Sequence, residues 1–330
     1  MASRVAAWVE RLERQGVRTC HWKGAAALER GLRGERDLDF LVSPADWEAA
    51  SRALLELDFK ATRPRFGAEA AGTSHCFGRE PGQERLLHLH LHDRVLTGED
   101  WINSHALPFD RPLLASPSSV HGVRVPTPPL EVVLTVLKHA IRWGSLPDRV
   151  TAWLRPKDER AELARLLTDA NVEAALPLVN EHCPALDAAI FRACAAALRE
   201  DPGRAARLRL AARVRRVLRP WARQSGAARP VAYAQVLAAR ARRLFDGDRR
   251  DKALRGAGVT IAFRDAGVRE ATRRWLGQAF AVRVSNALEP RALAAGEIVL
   301  ADARPGAAPD LRIESAALDE PTRARIWAAL

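Results

Sequence analysis

The chain has no run of about 18 or more apolar residues, so no membrane-spanning helix is expected. It opens on Met1-Ala2-Ser3-Arg4 and an amphipathic helical pattern, without the apolar core of a secretory signal, and the cytoplasm is the expected compartment. The four cysteines, Cys20, Cys76, Cys183 and Cys194, form no Cys-x-x-Cys pair. That spacing argues against a cysteine zinc knuckle and against a disulfide framework. Buried reduced thiols are the expectation. Lysine is scarce: five of the 52 basic residues. The net charge of +12 is therefore carried by arginine, spread over helical segments instead of gathered in one block. Aromatic residues are only 6% of the chain, too few for extensive stacking on bases. Nucleic-acid binding is not expected on this balance.

What is present suits two or three domains in 330 residues. Val5, Trp8, Val9 and Leu12 repeat at helical spacing, and Gly16 ends that helix. Val17 to Trp22 reads as a short strand, Lys23-Gly24 as a turn, and Ala25 to Arg30 as the start of a second helix. Leu38 to Val42 is a second strand. Ser43 suits a helix N-cap, with Pro44 in the first turn of a helix to Leu57. Residues 60–84 read as a hairpin or loop, Arg85 to Asp93 as a strand, and 100–127 as irregular around a Val123-Arg124-Val125 strand. Pro128-Pro129 opens an apolar helix to Trp143. Residues 147–247 are helical in pattern, broken at Pro156, Pro184, Pro202 and Pro230. Val259 to Phe263, a helix at about 269–280 and Glu297 to Leu300 then make a small α/β unit. The expected fold class is α/β of the α+β kind. Its expected parts are 1–127, a mixed sheet with flanking helices; 128–250, helical; and 251–330, the small α/β unit.

The segment Glu35-Arg36-Asp37-Leu38-Asp39-Phe40 carries the chemistry. On a strand, residues two apart share a face, so Asp37 and Asp39 project side by side. Two carboxylates that close repel unless a cation lies between them. A hard divalent ion with oxygen ligands, Mg²⁺ first, answers that repulsion. Lys23-Gly24 would offer phosphates a cation and an accessible amide. An isolated Asp-x-Asp is also common on solvated strands. His88, His90 and His92 share one face of their strand, which suits metal or nucleotide contact as well as a half-exposed polar face. On a straight strand these three span roughly 13 Å, too far for all to reach one ion. Arg33 suits either a phosphate contact or a structural role, and His139, on an apolar helix, suits the core.

Trp22-Lys23-Gly24 followed by Arg33-x-x-x-Asp37-Leu38-Asp39-x-Leu41-Val42 resembles the nucleotidyltransferase superfamily, in the bacterial branch with Lys-Gly in place of Gly-Ser. Leu87 to His92, Val125-Pro126-Thr127 and His139-Ala140 resemble that branch's later motifs in order, over residues 1–145. The resemblance implies a nucleotidyltransferase-like domain that moves a nucleoside monophosphate from a nucleoside triphosphate, ATP first, to a hydroxyl of a small-molecule, sugar or peptide acceptor. Asp37 and Asp39 would hold Mg²⁺, while Lys23, the Gly24 amide and Arg33 would hold the triphosphate. A third carboxylate is missing, and His90 stands at its position as base or third metal ligand. An alternative is an eroded member that only binds nucleotide or a partner.

The C-terminal unit resembles a thymidylate-kinase-like P-loop domain that lacks its working residues. Aligned on the pattern Gly-x-x-x-x-Gly-Lys-Ser/Thr, Arg264 and Arg269 replace the glycines, Glu270 the lysine and Ala271 the hydroxyl residue. A glutamate there repels phosphate, so ATP binding in the P-loop manner is not expected. Packing, dimerisation or contact with a protein partner is the expected role; equally, the unit suits a small α/β cap that was never a P-loop.

Overall fold

α1 (Arg4–Arg14) turns Val5, Trp8, Val9 and Leu12 inward, and Gly16, at φ 77°, bends the chain toward β1 (Thr19–His21). In the computed structural model, residues 4–64, 72–98, 102–145, 163–200, 202–223, 228–245, 252–255, 258–280, 282–285, 297–302 and 309–330 are described. Helix accounts for 51% and strand for 21%, a mixed α+β chain. After the Trp22-Lys23-Gly24 turn come α2 (Ala25–Leu32) and β2 (Leu38–Val42), every residue of which is buried. The Ser43 hydroxyl accepts from the Ala45 amide and opens one 3-10 turn before α3 (Trp47–Glu56).

The stretch read as hairpin or loop contains two paired strands, β3 (Lys60–Pro64) and β4 (Thr73–Arg79), in antiparallel register. β5 (Leu86–His92) alternates as its sequence demands: Leu87, Leu89 and Leu91 are fully buried on one face, and the histidines occupy the other. The stretch read as irregular holds more structure than its prolines suggested. Its β7 (His105–Leu107) pairs with β6 (Val95–Thr97), just ahead of it, and it holds a short α4 (Asp110–Leu114) and a second ribbon of β8 (Ser119–Val120) and β9 (Val123–Arg124).

Pro128 and Pro129 occupy the first turn of α5 (Pro128–Arg142), where a missing amide costs nothing. This helix is buried on most sides. Its Leu130, Val133, Val136 and Leu137 share one core with Cys20, Trp22 and Leu41 from the sheet region and with Val172, Phe191 and Val214. Those last three belong to α6 (Asp169–His182), α7 (Ala188–Glu200) and α8 (Arg204–Val217), which precede α9 (Ala228–Phe245). Pro184 and Pro202 fall between helices and Pro230 in the first turn of α9, while Pro156 lies outside the described residues.

The C-terminal elements are β10 (Lys252–Leu254), β11 (Val259–Phe263), α10 (Ala266–Leu276), β12 (Val282–Ser285), β13 (Ile298–Asp302), β14 (Leu311–Ile313) and α11 (Glu320–Ala329). Two differences from the sequence reading have clear causes. α10 begins at Ala266, not 269, because the Asp265 carboxylate caps the Val268 amide at 2.8 Å. β10 does not join the C-terminal sheet. It pairs antiparallel with β3 and covers what would otherwise be an open edge. The first sheet thus has the order β1-β2-β5-β4-β3-β10, and the second, β12-β13-β11-β14, is parallel throughout.

Candidate functional site

Three adjacent strands bring the site together. β2 and β5 are parallel, with Asp39 opposite His90; β4 is antiparallel to β5, with His75 opposite His90 and Phe77 opposite His88. One rung of the sheet therefore reads His75, His90, Asp39. Asp37, one residue before β2, continues the same face toward His88.

The polar contacts across these rungs are dense. His88 Nδ1 lies 2.8 Å from Asp37 Oδ1, His90 Nδ1 3.3 Å from Asp39 Oδ1, and His92 Nε2 3.1 Å from the same Asp39 oxygen. His90 Nε2 and His88 Nε2 are 3.1 Å apart, and His75 Nδ1 is 3.2 Å from His88 Nε2. Lys23 Nζ stands 2.8 Å from Asp39 Oδ2, an ionic contact without hydrogen-bond alignment. Trp22 meets the His92 ring edge-on at 5.7 Å.

The electrostatics follow from burial and charge. Burial works to raise the Asp39 carboxyl, but the Lys23 charge and hydrogen bonds from His90 and His92 hold it well below the usual carboxylate range. The half-exposed Asp37 behaves the same way: burial opposes ionisation, and the hydrogen bond and charge of His88 more than offset it. His90 is pushed down to about 4, mainly by burial, with Asp39 pulling the other way.

Of the residues proposed from sequence, Lys23, Asp37, Asp39 and His90 converge. Arg33 does not join them: its Nε donates to Glu35 at 2.8 Å and it points to solvent. Gly24 sits at the entry to α2 with φ 88°, and the Glu131 carboxylate occupies the space a side chain there would need. A phosphate approaching this turn therefore meets a carboxylate as well as Lys23.

A cavity of about 240 Å³ opens beside Lys23, between α2 and α5. Basic Lys23, Arg36 and Lys138 line it together with apolar Leu134, Leu163 and Leu166. His139 is buried on α5, as its apolar helix suggests, and forms part of the cavity wall. The sequence reading passed over His75, Arg36 and Lys138. Arg36 abuts the aspartate motif and Lys138 precedes His139, so proximity to motifs was the available signal. His75 had none, because its place depends on strand register.

The donor set, as folded, does not fit Mg²⁺. That ion needs a near-octahedral shell of oxygens and keeps several waters. Here one Asp39 oxygen receives two imidazoles, the other faces an ammonium, and the His90 ring lies between the two carboxylates, 3.7 Å from Asp37 Oδ2. Nitrogen donors suit softer ions.

The C-terminal loop uses two of its polar groups within the chain. The Val268 amide at the start of α10 is held by Asp265, and Arg269 Nη1 reaches Asp302 at 2.5 Å. No protein-family model, curated protein or solved structure matches this chain. No helix among the described residues is long and apolar enough to cross a membrane, and all four cysteines are free and buried.

Proposed function

We propose that this chain is a nucleotidyltransferase-like protein of the cytoplasm that binds a nucleoside triphosphate, ATP first, in the cavity beside Lys23. It passes the nucleoside monophosphate group to a hydroxyl of a small-molecule, sugar or peptide acceptor. The observation that carries the reading is the pairing of Lys23 with Asp39, beside Asp37, where Lys23 also lines a cavity with Arg36, Lys138 and apolar side chains. The cations neutralise phosphate oxygens, and Leu134, Leu163 and Leu166 give the apolar part of the ligand a surface. In the transfer, the acceptor oxygen bonds to the α-phosphorus while the bond from that phosphorus to the bridging oxygen breaks. Pyrophosphate leaves, and the hydroxyl proton passes to the half-exposed Asp37 carboxylate. Asp39, held by Lys23, His90 and His92, is a positioning residue. No step runs through magnesium.

A second reading, a nucleotide- or partner-binding protein without turnover, is favoured by one observation: both Asp39 oxygens already face partners within the chain. Calorimetry with ATP, followed by a pyrophosphate-release assay over a panel of hydroxyl acceptors, separates the two. Lys23→Ala should weaken ATP binding about 10- to 100-fold, the loss of a charge-assisted contact. ATP binding without pyrophosphate release leaves the second reading standing; no ATP binding by the unmutated chain overturns both.

A further inference from the structure

Within the cluster, two imidazoles are oriented by carboxylates. Asp37 Oδ1 accepts from His88 Nδ1 at 2.8 Å, and Asp39 Oδ1 accepts from His90 Nδ1 at 3.3 Å. With the protons on Nδ1, each ring turns an Nε2 lone pair inward, and these two atoms are 3.1 Å apart. His75 Nδ1 completes the triangle, 3.2 Å from His88 Nε2. Hydrogen bonds alone do not satisfy this arrangement. With both protons on Nδ1, His88 Nε2 and His90 Nε2 meet lone pair to lone pair, so that edge has no bridging hydrogen.

A single cation at the centre satisfies every edge. Zn–N bonds of about 2.0–2.1 Å at the tetrahedral angle place donor atoms about 3.3 Å apart. The observed edges of 3.1 and 3.2 Å match that spacing, and a set of donor atoms from the three histidines lies within 4.8 Å. Carboxylates on the far ring nitrogens are the usual outer support of a histidine–zinc site.

We propose that His75, His88 and His90 form a zinc site, with Asp37 and Asp39 as the carboxylates that orient two of its ligands. Three imidazole nitrogens favour a borderline divalent ion over Mg²⁺ or Ca²⁺. The fourth position lies on the side of half-exposed Asp37, whose Oδ2 is 3.7 Å from His90 Nε2. Three protein ligands and an open fourth position are the pattern of a catalytic rather than a purely structural zinc. Phe77 stacks flat on His88, with centroids 4.1 Å apart, and fixes the ring's plane. The inference stands on the histidine geometry and does not rest on nucleotide binding.

The test is a ZnCl₂ titration of the chelator-stripped full chain against a competing chromophoric chelator, without nucleotide. One zinc per chain is expected, undisturbed by excess Mg²⁺. Asp37→Asn should weaken it about 10- to 100-fold, as loss of an outer-shell partner does, and His75→Ala or His88→Ala by more than that. His121→Ala, an exposed histidine on the turn between β8 and β9, should bind as the unmutated chain does. A second measurement needs no variant: Co²⁺ in the unmutated chain should give the intense visible bands of a tetrahedral site. Absence of zinc binding, equal affinity in the His75 and His88 variants, or the weak spectrum of octahedral cobalt each overturns the proposal. Zinc binding with no ATP binding removes only the nucleotide reading, and the reverse removes only this one.

Discussion

Asp39 is the buried charge around which the site is arranged, and Lys23 is its main counter-charge. Removing one partner of a fully buried pair costs about 3–5 kcal/mol. Lys23 is over a third exposed and two imidazoles remain on Asp39, so Lys23→Met should cost only about 1–2 kcal/mol, read from urea midpoints. No change in midpoint would mean that the histidines alone hold the carboxylate. Gly24 and Gly16 form a controlled comparison. Both have positive φ, 88° and 77°, but a side chain at Gly24 meets Glu131, whereas at Gly16 nothing lies within 4 Å. Alanine at either position pays the backbone strain of about 1 kcal/mol; at Gly24 it also displaces a carboxylate. Gly24→Ala should therefore melt lower than Gly16→Ala, and adding Glu131→Ala should recover part of the difference. At this scale the sequence showed Asp37, Asp39 and the three histidines of β5, since period-two alternation alone puts each set on one face. It did not show His75. That residue reaches the cluster through the antiparallel register of β4 on β5, and the sequence between those strands does not specify the register.

Among elements, those with strong local signals were legible: the apolar periodicity of α1 and α5, the Pro-Pro entry to α5, and the buried runs of β2 and β11. Short strands in polar surroundings were not. β6 and β7 depend on each other as pairing partners, and their residues carry little periodicity of their own. α10 starts three residues earlier than its apolar pattern suggests, because Asp265, inside the segment that resembles a phosphate loop, acts as its cap. That cap leads to a prediction. Asp265→Ala removes the acceptor for the Val268 amide and should cost about 1 kcal/mol in chemical denaturation. Asp265→Ser, which restores an acceptor, should recover most of it. If serine were as costly as alanine, the carboxylate would be acting through its charge and not as a cap.

Across the whole molecule, the C-terminal unit packs against the first sheet and its flank. Phe77 and Leu86 share its core, Trp327 Nε1 donates to the Asp58 carbonyl at 2.9 Å, and Arg79 pairs with Glu320. β10 and these contacts were invisible in the sequence, because a resemblance to a separate domain predicts a separate domain. One consequence of this burial is a dependence on pH. His21 and His90, in the first sheet, and His105, on β7, are all pushed down to about 4, chiefly by burial. Between about pH 4 and 6.5 the unfolded chain therefore binds more protons at these three sites than the folded chain does. Stability falls as the pH drops through that window and is unaffected by these groups above it. The full effect is up to about 3 kcal/mol for each ring, from 1.36 kcal/mol per pKa unit. Asp39 acts in a lower window: its depressed pKa adds stability above the ordinary carboxylate range, lost only as the pH falls further toward its folded value. Urea midpoints should thus decline from pH 6.5 toward pH 4. His105→Gln removes one of the three titrating rings without touching the zinc or nucleotide residues, so it should shallow that decline while leaving the later carboxylate-driven loss in place. A midpoint that stays flat over this window in the unmutated chain would show that these rings are protonated in the folded state, and that their burial does not exclude charge.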